Sequence, residues 1–439
     1  MTGAERPRRP ASSDRDRTAT NAAMSQGGHD VLIIGAGPAG STLALLLARA
    51  GLDVLLVDRA AFPRAKPCGD CLSAEAARLL LRLGLLPAVQ ELQPATLLGW
   101  RIFGPAGACF SAAFRDLGDA DPVVHGALAV PRRELDAALL NAAADAGARV
   151  LTGWVAIDLV RDGRWVKGVL LRDPQGVRRE VRALLTVGAD GLRSRVARRL
   201  GAVARPARIR KLSLTTHITR PGGGDWFGEM HVGDGVCAGL APVGANGRCW
   251  NLTVVADADR FGRLATRPRA FFGAMLGRLP MLAGRGLEPA ELLASGPFDA
   301  PIRRVTFPGA VLVGDAAGYF DPFTGQGIYH AMAGAERLAE VLVGCFRLAP
   351  GIPPGVRELQ PYASAHATLT RGPRRVQRLI HHVLDRPPLA ELAVAGLARR
   401  PRAAAALLAV TGDLRPAASL LSPRLAVSLL FPRPAPRPG

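Results

Sequence analysis

The chain of 439 residues carries a formal net charge of +20, with 56 Lys and Arg against 36 Asp and Glu. Its length exceeds the usual size of a single hydrophobic core, so two mixed domains and a tail are expected. Aromatic residues make up only 5% of the sequence and form no basic and aromatic platform, so specific nucleic-acid binding is not expected. The positive field still attracts anionic lipids, diphosphates or acidic carrier proteins.

The two ends of the chain have the composition of disordered segments. Residues 1–28 form a leader bearing Arg, Ser and Thr without the apolar core of a signal peptide, and residues 428–439 form a Pro-rich tail. No segment approaches the roughly 18 uninterrupted apolar residues of a membrane span. A cytoplasmic protein is expected, with peripheral contact at a membrane as an alternative.

The first ordered stretch has the pattern of a strand, a Gly-rich turn, a helix and a second strand. An apolar run enters the G-x-G-x-x-G turn of Gly35, Gly37 and Gly40, and a second run ends at Asp58, 23 residues after Gly35. In such a βαβ unit the glycines permit a tight turn, close approach of a diphosphate and close helix packing, and the acid holds a ribose hydroxyl. The helix N-terminus then faces the phosphates. Together these features predict a dinucleotide-binding unit.

A cysteine pair follows in the segment Lys66-Pro67-Cys68-Gly69-Asp70-Cys71. The six cysteines of the chain are scattered, which argues for reduced thiols. Cys68 and Cys71 have the spacing of a redox dithiol, which is chemically sensible beside a redox cofactor. The alternative, which we favour, is that Cys71 is an incidental substitution.

The middle of the chain alternates helical and extended patterns. Residues 132–146 have helical spacing, whereas 150–160 and 165–171 predict the two strands of a hairpin. A second sheet is predicted from the strand patterns at 211–219, 229–232, 236–240 and 250–255.

Two further strands end at acidic turns. One leads into Asp190-Gly191, and the other leads into Gly314-Asp315 and then, through a Gly-rich segment, into a helix from 328 to about 346. A strand that ends at an aspartate beside a Gly-rich helix start makes a second cofactor contact. Simple NAD dehydrogenases do not need these extra sites.

The remaining polar candidates carry no assigned role. Asp299, Asp321, His217 and His231 are candidates to reach a substrate pocket, but no catalytic acid or base is assigned. The pair His381-His382 lacks Cys or acidic partners at the spacing of metal ligands, so no metal site is expected.

The three acidic and Gly-rich motifs, with Arg132-x-x-Leu135-Asp136, resemble the FAD-dependent oxidoreductases of the para-hydroxybenzoate hydroxylase and geranylgeranyl reductase superfamily. The resemblance runs from about residue 29 to 347, and the segment from Lys66 to Asp70 is closer to the geranylgeranyl reductase branch. It implies that the first turn and Asp58 bind the ADP half of FAD and that Asp315 holds the ribityl chain. The residues expected to contact FAD are Gly35, Gly37, Pro38, Ala39, Gly40, Asp58, Arg59, Cys68, Gly69, Arg132, Asp190, Gly191, Gly314, Asp315, Pro322, Gly325, Gln326, Gly327 and Ile328.

The implied fold class is α/β, with a Rossmann-like FAD-binding domain interleaved with a β-sheet substrate domain and followed by a helical C-terminal region. The FAD-binding domain is expected from residues 29–95, 130–204 and 301–349, and the substrate domain from 96–129 and 205–300. Residues 350–427 carry apolar stretches among arginines. Such helices most often close a domain core, and an amphipathic membrane-surface element is the alternative.

The implied function is hydride transfer through flavin N5 to a hydrophobic substrate of lipid, isoprenoid or polyketide type. No second complete G-x-G-x-x-G module is present, so NAD(P)H would bind transiently or a reduced carrier protein would supply electrons. Isoprenoid reductases usually carry a Tyr-x-Trp-x-Phe-Pro stretch where this chain has Cys237-Ala-Gly-Leu240-Ala-Pro242. Two alternatives therefore stay open: an NAD(P)H-dependent monooxygenase using a C4a-hydroperoxide, and a basic membrane-surface or nucleic-acid-binding protein with a non-catalytic flavin fold.

Overall fold

The computed structural model describes residues 28–117, 126–204, 211–220, 225–261 and 266–420. The predicted leader, up to residue 27, and the predicted tail lie outside these residues. The strands are β1 (His29–Ile34), β2 (Val54–Asp58), β3 (Cys71–Leu72), β4 (Ala95–Leu97), β5 (Gly99–Phe103), β6 (Cys109–Ala113), β7 (Ala127–Ala129), β8 (Arg149–Thr152), β9 (Val155–Asp162), β10 (Trp165–Arg172), β11 (Arg178–Gly188), β12 (Lys211–Thr219), β13 (Phe227–Gly233), β14 (Val236–Val243), β15 (Cys249–Asp257), β16 (Leu293–Ser295), β17 (Thr306–Phe307) and β18 (Ala310–Leu312).

Helices cover the sheets and dominate the C-terminal part of the chain. None of those within the described ranges combines the length and the hydropathy needed to cross a bilayer. They are α1 (Pro38–Arg49), α2 (Ala74–Arg82), α3 (Leu86–Gln90), α4 (Arg132–Asp145), α5 (Arg195–Arg199), α6 (Ala258–Phe261), α7 (Pro268–Leu276), α8 (Gly327–Leu348), α9 (Gln360–Leu384), α10 (Pro387–Ala398) and α11 (Pro401–Thr411).

The first sheet is the Rossmann-like part of the α/β fold. Its parallel strands lie in the order β18-β11-β1-β2-β8, with Val31 of β1 opposite Leu185 and Val54. Strands β1 and β2 are almost entirely buried, as expected for parallel strands that are covered on both faces. Helices α1 and α8 pack against each other beside this sheet. The predicted βαβ unit and α/β class are confirmed.

One strand prediction was wrong. The sequence predicts a single strand over 150–160, but the structure divides it between β8, which pairs with β2, and β9, which pairs with β10 in the hairpin. The break falls at Gly153, whose φ is +78°. A left-handed backbone at this glycine turns the chain from one sheet to the other.

The second sheet has the order β16-β12-β15-β14-β13-β5-β6 and contains all four strands predicted for it. Its neighbouring strands are antiparallel except for β13 and β5. Along β15, even-numbered residues such as Trp250 join the core that contains Phe271 of α7, so the odd-numbered residues project from the opposite face. Trp250 itself is almost fully buried.

Helices α10 and α11 cover β6 of the second sheet. Val394 of α10 and Leu408 of α11 pack with Phe110 and Ala112. The described part of the C-terminal region therefore closes a core, which was the favoured interpretation of its apolar stretches.

Candidate active site

The Gly-rich turn lies where β1 meets α1, and its close contacts require glycine. Gly35 has a φ of +106°, and an added Cβ would lie 2.4 Å from the carbonyl oxygen of Ala189. An added Cβ at Gly40 would lie 1.8 Å from the carbonyl oxygen of Gly35. At Gly37 the same atom would meet only Arg64 Nη2, at 3.6 Å, because this glycine faces an open groove. The turn therefore leaves space for a ligand on the side where α1 begins.

The start of α1 presents backbone donors to this groove. Pro38 occupies its first turn, and no side chain caps the helix at Gly37. The first N–H groups of a helix have no partners within the helix, so they favour an anion such as a diphosphate. Asp58 is held beside the turn because its carboxylate accepts hydrogen bonds from Ala36 N and Ala60 N, both at 2.8 Å. The side chain of Arg59 is exposed.

The cofactor groove, which we define by the residues lining it, runs from this turn to the start of α8 and has a volume of about 190 Å³. It brings together segments that lie far apart in the chain. The vacant space at Gly37 and the donors of α1 fit the dinucleotide predicted for it. Twelve of the predicted FAD contacts line the groove, namely Gly37, Pro38, Ala39, Cys68, Gly69, Arg132, Gly191, Asp315, Pro322, Gly325, Gly327 and Ile328.

Two of the other predicted contacts use their side chains elsewhere. Asp190 accepts hydrogen bonds from Ser194 Oγ and from the backbone N–H groups of Arg195 and Val196, so it caps α5. Gln326 Nε2 donates to Val410 O and to the carboxylate of Asp413, at the end of α11. The contact of these two residues with FAD stays a prediction.

Asp70 joins the Cys68–Cys71 segment to the second sheet. It is 2% exposed with a φ of +56°, and its carboxylate accepts hydrogen bonds from Arg132 N at 3.0 Å, His217 Nε2 at 2.7 Å and Asn251 Nδ2 at 2.8 Å. Asn251 Nδ2 also donates to Cys68 O at 2.8 Å. The hydrogen bond with Asp70 raises the pKa of His217. This network fixes the segment that forms one wall of the groove.

Sequence reasoning missed Asn251, although one signal was present. An amide within the apolar run of β15 is unusual, because a buried amide needs hydrogen-bond partners. Those partners lie 181 and 183 residues away along the chain, so the pattern of β15 alone does not reveal them.

The two cysteines of the segment occupy different positions. Cys68 lines the cofactor groove, and Cys71 Sγ donates to Gly69 O at 3.1 Å. Burial raises the pKa of Cys71 well above its usual value, so its thiol stays protonated near neutral pH. All cysteines of the described residues have free thiols.

An apolar cavity of about 350 Å³ adjoins the groove. The second sheet contributes Trp100, Phe110, Met230, Gly239 and Thr253, and the roof is made by α9, α10 and α11, with residues such as Val383, Val394 and Leu408. Cavity and groove share five lining residues, which are Gly69, Cys71, Thr253, Pro322 and Gly325.

The remaining polar candidates divide between the two sides of the second sheet. His231 is buried beside Glu229, at 3.0 Å, and stacks on Phe103, whereas its neighbour Met230 faces the apolar cavity. His231 therefore does not reach that cavity, because successive residues of a strand point to opposite faces. Asp321 is buried and forms an ion pair with Lys211 at 3.2 Å.

Asp299, on the loop before β17, has a φ of +67°. Within the described ranges, no cluster of three or more His, Cys, Asp or Glu is arranged to hold a metal ion.

Comparisons with known proteins agree with this geometry. Residues 28–225 match a family model described as an FAD binding domain. Menaquinone reductase of Mycolicibacterium smegmatis is 33% identical over 327 residues, covering 71% of this chain and 76% of that protein. Digeranylgeranylglycerophospholipid reductase 2 of Methanothermobacter thermautotrophicus is 32% identical over 332 residues, covering 71% and 77%.

Solved structures share the fold at lower identity. A flavoprotein/dehydrogenase from Cytophaga hutchinsonii has a TM-score of 0.75 at 21% identity, covering 88% of this chain and 92% of that chain. A flavin-dependent brominase has a TM-score of 0.74 at 20% identity, covering 88% and 93%. The fold, the groove and the two sequence relatives lead to one assignment: the chain belongs to the family of FAD-dependent oxidoreductases that includes the menaquinone reductases and the digeranylgeranylglycerophospholipid reductases.

Proposed function

We propose that this FAD-dependent oxidoreductase reduces a carbon–carbon double bond in a long apolar molecule of the isoprenoid, quinone or lipid class. The observation that carries the proposal is the apolar cavity adjoining the cofactor groove. Its volume lies within the usual range of small-molecule sites, roughly 300–1,000 Å³. When bound and reduced, the cofactor would supply a hydride through flavin N5.

The residues shared by the groove and the cavity suit such a transfer. Gly69 and Gly325 have no side chains, and a Cβ added at either would meet no atom within 4 Å. A substrate in the cavity therefore has an open approach to the groove. Cys71 and Thr253 carry exchangeable protons at this junction, and most of the cavity residues around them are apolar.

The names of the two relatives support the substrate class. One name states menaquinone and the other digeranylgeranylglycerophospholipid. Electrons are proposed to come from NAD(P)H that binds transiently or from a reduced carrier protein, since the sequence has no second complete G-x-G-x-x-G module.

The outer face of α9 supports contact with an anionic membrane as part of this function. Leu379 lines the cavity and is also 52% exposed, so it marks an opening. The exposed residues Arg371, Arg375 and Arg378 lie on the same helical face because they are spaced by three or four residues. Leu392, on the next helix α10, is 69% exposed. Basic residues beside exposed leucines are typical of surfaces that bind anionic lipids.

The reaction is tested with the purified holoprotein, reduced by dithionite without oxygen and mixed with menaquinone or a geranylgeranyl lipid. We expect flavin reoxidation coupled to a product that, by mass spectrometry, keeps the gained H₂ after any quinol has been reoxidised in air. A result of no anaerobic reoxidation, with a hydroxylated product once oxygen is admitted, would establish the monooxygenase instead. A chain that never takes up FAD yet binds DNA or vesicles would establish the non-catalytic alternative.

Membrane contact has its own test, flotation with vesicles of phosphatidylglycerol or of phosphatidylcholine. We expect binding to the anionic vesicles only, and loss of binding in Leu392→Asp. Leu348→Asp is the matched control, because Leu348 is 88% exposed at the end of α8. Equal loss in both variants would contradict a specific membrane face.

A further inference from the structure

A buried carboxylate beside the Gly-rich turn is shared by two guanidinium groups. Asp136 is fully buried on α4 and accepts two hydrogen bonds from Arg132, Nε at 2.9 Å and Nη2 at 3.0 Å. Arg64 Nη2 lies 3.1 Å from Asp136 Oδ2, the same oxygen that accepts from Arg132 Nη2. One negative charge therefore faces two positive charges that are both largely buried.

Lys66 adds a third cation to this cluster. It lines the cofactor groove, and its Nζ lies 3.9 Å from the position of a Cβ at Gly191. Within the described residues it forms no hydrogen bond or ion pair. Burial lowers the pKa of Lys66, as do Arg132 and Arg64, whereas Asp315 and Asp136 oppose that shift. The ammonium group thus faces the groove in surroundings that favour an added anion.

Charge and position point to the same ligand group. Three cations and Asp136 leave an excess of two positive charges, and the diphosphate of a dinucleotide carries two negative charges. Arg64 Nη2 lies 3.6 Å from the position of a Cβ at Gly37, where the turn leaves space for phosphates. Asp315 also lines the groove and offsets part of the excess, and the resemblance assigns it to the ribityl chain instead.

We propose that Lys66, supported by Arg64 and Arg132, binds the diphosphate of FAD. Asp136 holds the two guanidinium groups in place, and Lys66 is the member of the cluster whose charge is available to the ligand. This role rests on the FAD assignment and is independent of the proposed substrate. In this role Lys66 contacts the diphosphate of FAD and not the flavin ring.

The proposal is tested by ligand binding to the full-length protein after removal of FAD. ADP is measured by calorimetry, and FAD and riboflavin by fluorescence. We expect Lys66→Met to bind ADP and FAD about 10- to 100-fold more weakly, the range for a hydrogen bond to a charged group. Riboflavin binding stays unchanged, because riboflavin lacks the diphosphate, and Lys66→Arg retains most of the affinity. Lys167→Met is the control, since Lys167 lies over Trp165 on β10.

Amine modification of the unmutated protein supplies a second test that does not depend on a variant folding. The sequence has three lysines, Lys66, Lys167 and Lys211, so acetylation at each is resolved by mass spectrometry. We expect FAD and ADP to protect Lys66, and neither to protect Lys167. Equal acetylation of Lys66 with and without ADP would overturn the proposal. Loss of riboflavin binding without loss of ADP binding in Lys66→Met would also overturn it, because it would place Lys66 at the flavin ring.

Discussion

The cofactor groove and the apolar cavity share five lining residues, yet the Gly-rich turn of the groove depends on backbone and the cavity depends on side chains. The groove is shaped by backbone, since Gly35 and Gly40 admit no Cβ and α1 presents its N–H groups. The cavity is shaped by side chains of the second sheet and of α9 to α11. Backbone contacts tolerate almost no substitution, whereas apolar walls of this kind accept many hydrophobic side chains. A fixed cofactor site is thus combined with a wall that can vary with the substrate.

The largest effect is expected at Gly40, where a side chain would disrupt the backbone of the Gly-rich turn. Gly40→Ala places a Cβ 1.8 Å from Gly35 O, and that backbone oxygen has no freedom to move away. We expect loss of FAD uptake and a free energy of unfolding lower by about 3 kcal/mol, measured by denaturant titration and flavin absorbance.

Gly344→Ala is the control for Gly40→Ala. Gly344 lies within α8, and a Cβ there would meet no atom within 4 Å, so alanine stabilises the helix by up to about 1 kcal/mol. Retention of FAD by Gly40→Ala would show that backbone does not define the groove.

Substitution of Asp70 tests whether the Cys68–Cys71 segment, which lies between groove and cavity, needs the hydrogen bonds of this carboxylate. Asp70→Ala leaves Arg132 N without its acceptor and leaves Asn251 Nδ2 with Cys68 O alone, and both residues are buried. We expect a loss of roughly 2–4 kcal/mol in unfolding free energy and a changed visible circular dichroism spectrum of the flavin. Asp70→Asn, which keeps one acceptor oxygen, is expected to lose less. Equal losses in both variants would contradict the anchor role.

Gly239→Leu is expected to affect the apolar cavity without affecting the cofactor groove. A Cβ at Gly239 would meet only Met230 of the opposite strand, at 3.6 Å, so a larger side chain extends into the cavity. We expect kcat/KM for the substrate to fall about tenfold or more, while the FAD dissociation constant stays unchanged. Gly239→Ala is the matched control with a smaller effect. A parallel loss of FAD affinity would show that the two spaces are not independent.

The smallest expected effect is a pH dependence at His217. Asp70 raises the pKa of this histidine, so the charged form contributes stability that is fully present below the unfolded pKa of about 6.5. That contribution is lost as the pH rises through the raised folded pKa. We expect the stability difference between the wild type and His217→Asn to shrink over this range in denaturant titrations. A difference that stays constant with pH would contradict the link to Asp70.

The sequence predicted the α/β class and the βαβ unit because their signals are local. Glycine spacing, an apolar strand and a terminal acid lie within a few turns of one another, so Gly35, Gly40 and Asp58 could be placed without long-range information. The four strands of the second sheet followed from the same local periodicity. The prediction over 150–160 failed because the single residue Gly153 redirects the chain between two sheets.

The apolar cavity and the Asp70 network could not be predicted from the sequence. Phe110 and Leu408 meet in one cluster although about 300 residues separate them, and apolar periodicity is the same for a side chain facing a core or facing a cavity. Asp70 and Asn251 are joined only by the folded chain. Contacts between residues so far apart in the sequence depend on how both sheets pack. A local sequence pattern carries no information about that packing.

Gln326 and Asp413 are in contact but 87 residues apart, so the contact can form only after the later residue has been synthesised. At translation rates of roughly 5–20 residues per second, the end of α11 emerges on the order of ten seconds after the start of α8. The nucleotide-binding half can therefore take up FAD while the roof of the cavity is still unmade. All residues that line the cofactor groove, the last of which is Ala331, are thus synthesised before the roof of the cavity is complete.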